Sequence, residues 1–271
     1  MANDPRVEAA LNHWAPRFVA NGIPLTDFQE VTDSIEKWED WCSAWAARGE
    51  IHEEMGRNAL SQGYNLSAGE HLTTAGVCYH FAKFLFVNDI HQMREAHMKA
   101  INCRNLALPH LKPPGERVEI PYQGKLLAGI LRKPLNVETP SVVILAMGLD
   151  SSKEEMGAYE KLFLDRNLAT LTFDGPGQGE GEYEFGIRYD YEVPIGKVID
   201  YIENRNDLDA DRIGLWGVSL GGYYVPRAAA YEKRIQACIG LSGPYDWGAV
   251  WDNLPILTKE AFRVRSHSTN E

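Results

Sequence analysis

The chain is poor in cysteine, short of positive charge, and has no long hydrophobic run. Cys42, Cys78, Cys103 and Cys238 are the only cysteines in 271 residues, and none shares a C-x-x-C spacing. That excludes a disulfide framework or a cysteine-rich metal site and points to reduced thiols. Lysine and arginine total 27 against 38 acidic residues, a net charge of −11. Nucleic acid and anionic membrane surfaces are therefore poor partners, and the acidic excess reads as a solvated surface. Met1-Ala2-Asn3-Asp4-Pro5 has neither the basic nor the apolar stretch of a secretory signal. No apolar run approaches the roughly 18 residues that span a bilayer. The expectation is a cytoplasmic protein without membrane contact. Histidine is missing over a long stretch: none occurs from Leu111 to Ser266. Seven of the eight (His13, His52, His71, His80, His91, His97 and His110) precede it, and His267 follows it. There is no His-Glu-x-x-His, and His91 and His97 are not at i,i+4 spacing, so no metal is expected. The seven read as surface or satisfied core residues.

What is present divides near residue 112. Residues 1–112 are helical in pattern. Ile35, Trp38, Trp41 and Trp45 follow at helical spacing after Thr32, which predicts one amphipathic helix. A second is predicted from about Ala47 to Gly63. Ser67, with Glu70 three residues on, is predicted to cap a third as a capping box. A fourth runs from about Asp89 to Leu108. Pro109 and Lys112-Pro113-Pro114-Gly115 end this part, giving a helical domain at 1–112 and a second domain at 113–271. Beyond the boundary the period changes. Arg117–Tyr122 and Leu126–Leu131 around Gln123-Gly124 predict a β-hairpin. Apolar runs at Ser141–Met147, Ala169–Phe173, Ile213–Trp216 and Ile235–Leu241 alternate with helix-compatible segments at about 153–166, 192–204 and 223–232. Such alternation reads as an α/β sheet of mostly parallel order.

The sharpest signal is Gly217-Val218-Ser219-Leu220-Gly221. A buried strand runs into it and a helix runs out, the context in which G-x-S-x-G forms a nucleophile elbow. So tight a turn demands glycine on both sides of the serine, hence Gly217 and Gly221. Ser219 Oγ would then project from the sheet, and the Leu220 N–H, at the helix start, would be free to donate to a developing oxyanion.

Two more motifs follow strands: Gly148-Leu149-Asp150-Ser151-Ser152-Lys153-Glu154-Glu155, and Phe173-Asp174-Gly175-Pro176-Gly177-Gln178-Gly179-Glu180. With the elbow, and behind a helical domain containing Ser67-Ala68-Gly69-Glu70, they resemble the α/β-hydrolase superfamily. The resemblance is to the branch holding 2,6-dihydroxypseudooxynicotine hydrolase and the fungal polyketide-shortening hydrolases, and it covers essentially the whole chain. It implies a serine hydrolase without cofactor, acting on a small-molecule substrate held between the helical domain and the sheet. The helical domain would serve as a cap and as a homodimer contact. By position Ser219 would be the nucleophile, with the N–H groups of Leu149 and Leu220 as oxyanion hole. Asp150, Lys153, Glu154 and Asp174 would hold their loops in place. The branch includes enzymes that cleave carbon–carbon bonds beside a carbonyl, and esterases are close relatives.

One part of the pattern is missing. In α/β-hydrolases the acid and the histidine follow the nucleophile, each behind a further strand, and a βα unit needs about 30 residues. Only thirty follow Leu241. His267 lies in a polar tail that reads as frayed, and it is not expected to be the base. Asp246 and Asp252 follow the last strand too closely for the usual triad acid; they are expected to line the substrate cleft or to cap a helix. The chain thus reads as ending before its last two strands, with Ile235–Leu241 left as an apolar sheet edge. Three readings stay open: a serine hydrolase of ketone, diketone or ester substrates, a broad carboxylesterase, and a non-catalytic homologue that binds or dimerises.

Overall fold

Between Pro5 and Ala107 the backbone runs through five helices in the computed structural model, which describes residues 4–268. They are α1 (Pro5–Ala20), α2 (Leu25–Ser34), α3 (Trp41–Ser61), α4 (Asn65–Lys83) and α5 (Ile90–Ala107). Asp4 caps α1, accepting the Arg6 N–H at 2.8 Å, and Asp89 caps α5 through the Gln92 N–H at 3.0 Å. The first of two compact units comprises Met1–Lys112, Glu154–Ala158 and Pro255–Ala261.

The tryptophans are core, but they do not share one helix with Thr32. Helix α2 ends at Ser34, Ile35 is extended, and a 3₁₀ turn at Trp38–Asp40 leads into α3. The break is held by side chains distant in sequence: Asp4 Oδ2 accepts the Trp38 N–H at 2.9 Å and Asn88 Oδ1 the indole N–H at 2.9 Å. A helical spacing of three and four survives across such a kink, so periodicity did not reveal it. Nor does a new helix start at Ala47, since α3 runs unbroken to Ser61. The capping box is also overturned. Gly63 takes φ +78°, Tyr64 N–H reaches back to Ala59 O at 2.9 Å, and Gly63 N–H reaches Leu60 O at 3.0 Å. This is a Schellman closure of α3. It turns the chain so early that α4 begins at Asn65, leaving Ser67 inside the first turn.

The core of this unit is aromatic. Phe18 stacks on Phe81 at 3.8 Å between centroids, with Trp41, Trp45 and Phe84 around it. Helix α4 is buried on every side from Ala75 to Lys83. A buried carboxylate, that of Glu155, lies among these helices. Glu155, itself buried, accepts from Arg17 at 2.6 Å and from Asn21 at 2.7 Å, and lies 2.8 Å from His80 Nε2. Burial pushes its carboxyl up, but the charges of Arg17 and His80 and their hydrogen bonds outweigh that and hold it well below the usual carboxylate range. A depressed folded-state pKa contributes stability at pH above the unfolded value of about 4.3, and the contribution is lost as pH falls toward the folded value. Glu155→Gln is accordingly expected to be less stable than the parent at pH 7. The gap should close between about pH 5 and pH 2, as measured by urea melts across that range.

The second unit comprises Pro113–Lys153, Tyr159–Leu254 and Phe262–Glu271. Its strands are β1 (Gly115–Tyr122), β2 (Lys125–Arg132), β3 (Ser141–Ala146), β4 (Ala169–Phe173), β5 (Asp209–Val218) and β6 (Ile235–Leu241). They form a six-stranded sheet in the order β1-β2-β4-β3-β5-β6. Strands β1 and β2 are the expected hairpin, closed by Gln123 and Gly124, both at positive φ as a two-residue turn of this hand requires. β2 meets β4 antiparallel, and the β3–β4, β3–β5 and β5–β6 pairs are parallel. Helices α6 (Gly157–Leu164), α7 (Glu192–Glu203) and α8 (Leu220–Tyr231) follow β3, β4 and β5, and the short α9 (Trp247–Val250) and α10 (Ile256–Arg265) follow β6. Strand β6 ends the sheet, and Ile239 and Leu241 on it are exposed, as expected of an apolar edge. Among the described residues no helix is long and apolar enough to cross a membrane.

Candidate active site

Ser219 stands alone between β5 and α8, at φ 57° and ψ −120°. A side chain bearing a Cβ is strained there, at a cost of about 1–3 kcal/mol, so the surroundings must impose the bend. They do so by close packing. A Cβ on Gly221 would fall 2.1 Å from Ala146 O, and one on Gly217 would fall 2.4 Å from Gly221 O. The Ser219 N–H is held by Leu241 O at 2.9 Å. Helix α8 starts at Leu220, whose N–H has no carbonyl one turn back within the helix and points out of its N-terminus.

The loop after β3 comes close to this serine. A Cβ on Gly148 would lie 3.2 Å from Ser219 Cβ and 3.7 Å from its Oγ, so the Gly148–Leu149 peptide runs beside the hydroxyl. Its orientation is set by a residue that sequence reasoning passed over. Gln178 Nε2 donates to Gly148 O at 3.0 Å and also to Met147 O. A trans peptide points its N–H opposite its C=O, so fixing the Gly148 carbonyl aims the Leu149 N–H away from Gln178. The amide is itself oriented: buried Tyr191 donates its hydroxyl to Gln178 Oε1. Burial raises the Tyr191 pKa well above the ordinary phenol value, so that proton stays in place. The next carbonyl is held too: the buried Arg265 guanidinium donates to Leu149 O. The only sequence signal for Gln178 is its place in the D-G-P-G-Q-G-E loop.

Lys153 and Asp174 are the loop holders the motifs suggested. Asp174 accepts the Lys153 N–H at 2.9 Å, its ammonium at 2.7 Å and the Glu180 N–H at 2.9 Å, with Lys153 and Asp174 both fully buried. Glu180 Oε1 lies 2.6 Å from Lys153 Nζ, and Glu180 Oε2 accepts from Arg117 at 2.9 Å. Burial pushes the Glu180 carboxyl up, but Arg117 and Lys153 bring it below its ordinary value. Asp150 is buried in the same loop as Leu149, whereas Glu154 falls in the helical unit, 3.5 Å from His97 Nε2.

A cavity of about 840 Å³ opens beside the start of α8, lined by Leu220, Tyr223, Tyr189, Tyr245, Trp247 and Phe262 among others. Arg188 and Arg227 also line it, but each is already paired, with Asp190 and Glu192 respectively. Asp246 caps α9, accepting the Ala249 N–H at 3.2 Å, and is also among the residues lining this cavity. Asp252 sits exposed in a 3₁₀ turn, Trp251–Asn253, outside that lining. The tail is not frayed as far as it is described. Ile187 N–H donates to Arg265 O at 2.8 Å, and His267 Nε2 lies 2.8 Å from Glu182 O. Residues 269–271 of that tail lie outside the described residues. His267 is thus engaged with a backbone carbonyl.

A mostly parallel sheet behind a hairpin, with a G-x-S-x-G bend between a central strand and its helix, is the α/β-hydrolase fold. The family model described as "Esterase FrsA-like" matches residues 29–247, and the chain belongs to that family. It is 35% identical over 259 residues to the 2,6-dihydropseudooxynicotine hydrolase of Paenarthrobacter nicotinovorans, covering 96% of this chain and 69% of that protein. It is 32% identical over 231 residues to hydrolyase poxO of Penicillium oxalicum, covering 79% of this chain and 53% of that protein. The chain thus spans between about half and about two thirds of the length of these relatives. The crystal structure of the 2,6-dihydroxy-pseudo-oxynicotine hydrolase superposes with a TM-score of 0.84 at 33% identity, over 94% of this chain and 71% of that one.

Proposed function

We propose that the chain carries the nucleophile half of a serine hydrolase acting on a small aromatic or polyketide-like carbonyl compound, with Ser219 as nucleophile. The observation that supports this most is the strained, half-buried Ser219 beside a Gly148–Leu149 peptide whose carbonyl is tied back by Gln178. In this proposal Ser219 Oγ adds to the carbonyl carbon, and the Leu149 and Leu220 N–H groups receive the charge that develops on oxygen. The bond then broken is the one from that carbon to an adjacent carbon or to an ester oxygen; the leaving group takes up the proton given up by the Ser219 hydroxyl, and a water molecule then releases the acyl group from the serine as the carboxylic acid. The names of the relatives favour a hydrolase of pseudooxynicotine-like or fungal small molecules, and the family description favours an ester. The tyrosines and Trp247 around the cavity suit a flat, largely uncharged molecule, because its two arginines are already neutralised. The proposal assigns no general base among the described residues.

A fluorophosphonate probe tests the nucleophile. Label is expected on Ser219 in peptide mapping, with none in Ser219→Ala; a folded protein left unlabelled would sink the proposal. Comparing turnover of a β-diketone and a p-nitrophenyl ester separates carbon–carbon from ester cleavage. In either assay Gln178→Ala is expected to lower kcat about tenfold to a hundredfold with KM little changed, because a donor displaced by a fraction of an ångström still lets substrate bind.

A further inference from the structure

Arg265, the last residue of α10, is 2% exposed, yet its guanidinium does little for the fold. One nitrogen donates to Leu149 O. Nε lies 3.5 Å from Glu182 Oε2, beyond good hydrogen-bond distance, and neither Nε nor Nη2 has a hydrogen-bond acceptor among the described residues. Buried donors without acceptors are a net cost to stability, and a native chain that keeps them has another use for the group. The residue Arg265 does hold, Leu149, is the one whose N–H the hydrolase reading places in the oxyanion hole.

Two anchors act on that residue. Gln178 ties the carbonyl before it, Gly148 O, at 3.0 Å, and Arg265 ties its own carbonyl. Peptides are planar, so each anchor fixes one of the two planes that meet at the Leu149 Cα, and together they set its φ and ψ. Gln178 alone would leave a pivot. Gly148 has the widest backbone freedom of any residue type, and the segment beyond it would swing about that single tie. The second tie comes from 116 positions further along the chain. Arg265 is fastened in turn. Its carbonyl accepts the Ile187 N–H at 2.8 Å, and Ser266 O packs so closely on Gly186 that a Cβ there would fall 2.7 Å from it. His267 Nε2 lies 2.8 Å from Glu182 O. The turn at 265–267 is thus bound to the 182–187 segment and reaches from there to the loop after β3.

We propose that Arg265 is a positioning residue of the hydrolase site, holding the Leu149 backbone so that its N–H stays directed at the oxygen of a carbonyl under attack by Ser219. The assignment rests on Ser219 being the nucleophile. An oxyanion-hole donor must sit about 2.7–3.1 Å from the place the charged oxygen will occupy, so a loop free to swing loses rate before it loses ligand. The guanidinium acts through Leu149 and not on the substrate.

The test is the rate at which a fluorophosphonate phosphonylates Ser219 in the full chain, resolved into a limiting rate and a half-saturating concentration. The Oγ–P bond forms as the P–F bond breaks, fluoride leaves, and the serine proton passes to water; charge on the phosphoryl oxygen draws on the same donors. Arg265→Gln is expected to lower the limiting rate about tenfold to a hundredfold with the half-saturating concentration little changed. Arg263→Gln, at an exposed position of the same helix, should match the parent. Amide exchange needs no reactive serine and gives a second readout. In Arg265→Gln the segment 147–153 should exchange about tenfold faster or more, while β3 and α4 exchange as in the parent. Parent-like labelling and exchange in Arg265→Gln would overturn the assignment and leave Ser219 as nucleophile. Faster exchange throughout the second unit, with limiting rate and half-saturation both moved, would make Arg265 a residue of the fold alone and overturn it too. No label on the parent would remove the nucleophile reading instead, and exchange would then decide whether Arg265 fastens the loop.

Discussion

Asp174→Ala is expected to cost about 3–5 kcal/mol of stability, the range for breaking a buried ion pair by removing one partner. In a chain of this size that is a fall in Tm of roughly 6–20 °C, read by calorimetry. The carboxylate accepts two backbone N–H groups and the Lys153 ammonium, and both side chains are fully buried. Removing it takes one carboxylate from a buried cation and leaves two backbone donors without their acceptor. Glu180 remains 2.6 Å from Lys153 Nζ and places the cost toward the lower end. Asp174→Asn should cost less, because the amide oxygen still accepts one N–H. The double variant Lys153→Met, Asp174→Leu should cost less than Asp174→Ala alone, because the fully buried ammonium is removed together with its carboxylate. A single-variant cost under about 1 kcal/mol would mean that the pair behaves as a surface pair and does not hold these loops.

Ser219→Ala is expected to lower any hydrolysis by the chain by at least about a thousandfold, because donors and cavity retain only residual catalysis without the nucleophile. Ser219→Gly should do the same to the rate while raising stability by about 1 kcal/mol or more. Glycine tolerates φ 57° and ψ −120°, whereas serine and alanine do not. Together the two variants separate chemistry from folding: equal loss of rate with a rise in Tm for glycine alone is the signature of a strained, functional bend. If Ser219→Ala keeps its rate, the nucleophile lies elsewhere. If Ser219→Gly gains no stability, the bend stores no strain.

The sequence by itself determined the elements whose signals are local. The G-x-S-x-G bend, the Gln123-Gly124 hairpin and the parallel strands were all legible, because tight turns and doubly covered strands restrict residue types at fixed short spacing. The change from helical to strand period after Lys112 was equally plain. What only the tertiary structure decided depends on partners far apart in the chain. Asp4 and Asn88 hold the break before Trp41, and the Schellman turn at Gly63 moves the start of α4 away from Ser67. Gln178 comes to the Gly148 carbonyl and Arg265 to the Leu149 carbonyl, and His52 comes to face His71 across nineteen positions of sequence. Periodicity reports which face of an element is buried. It does not report which polar atom waits on the neighbouring element, because a hydrogen bond or an ion pair is set by distances that only packing fixes.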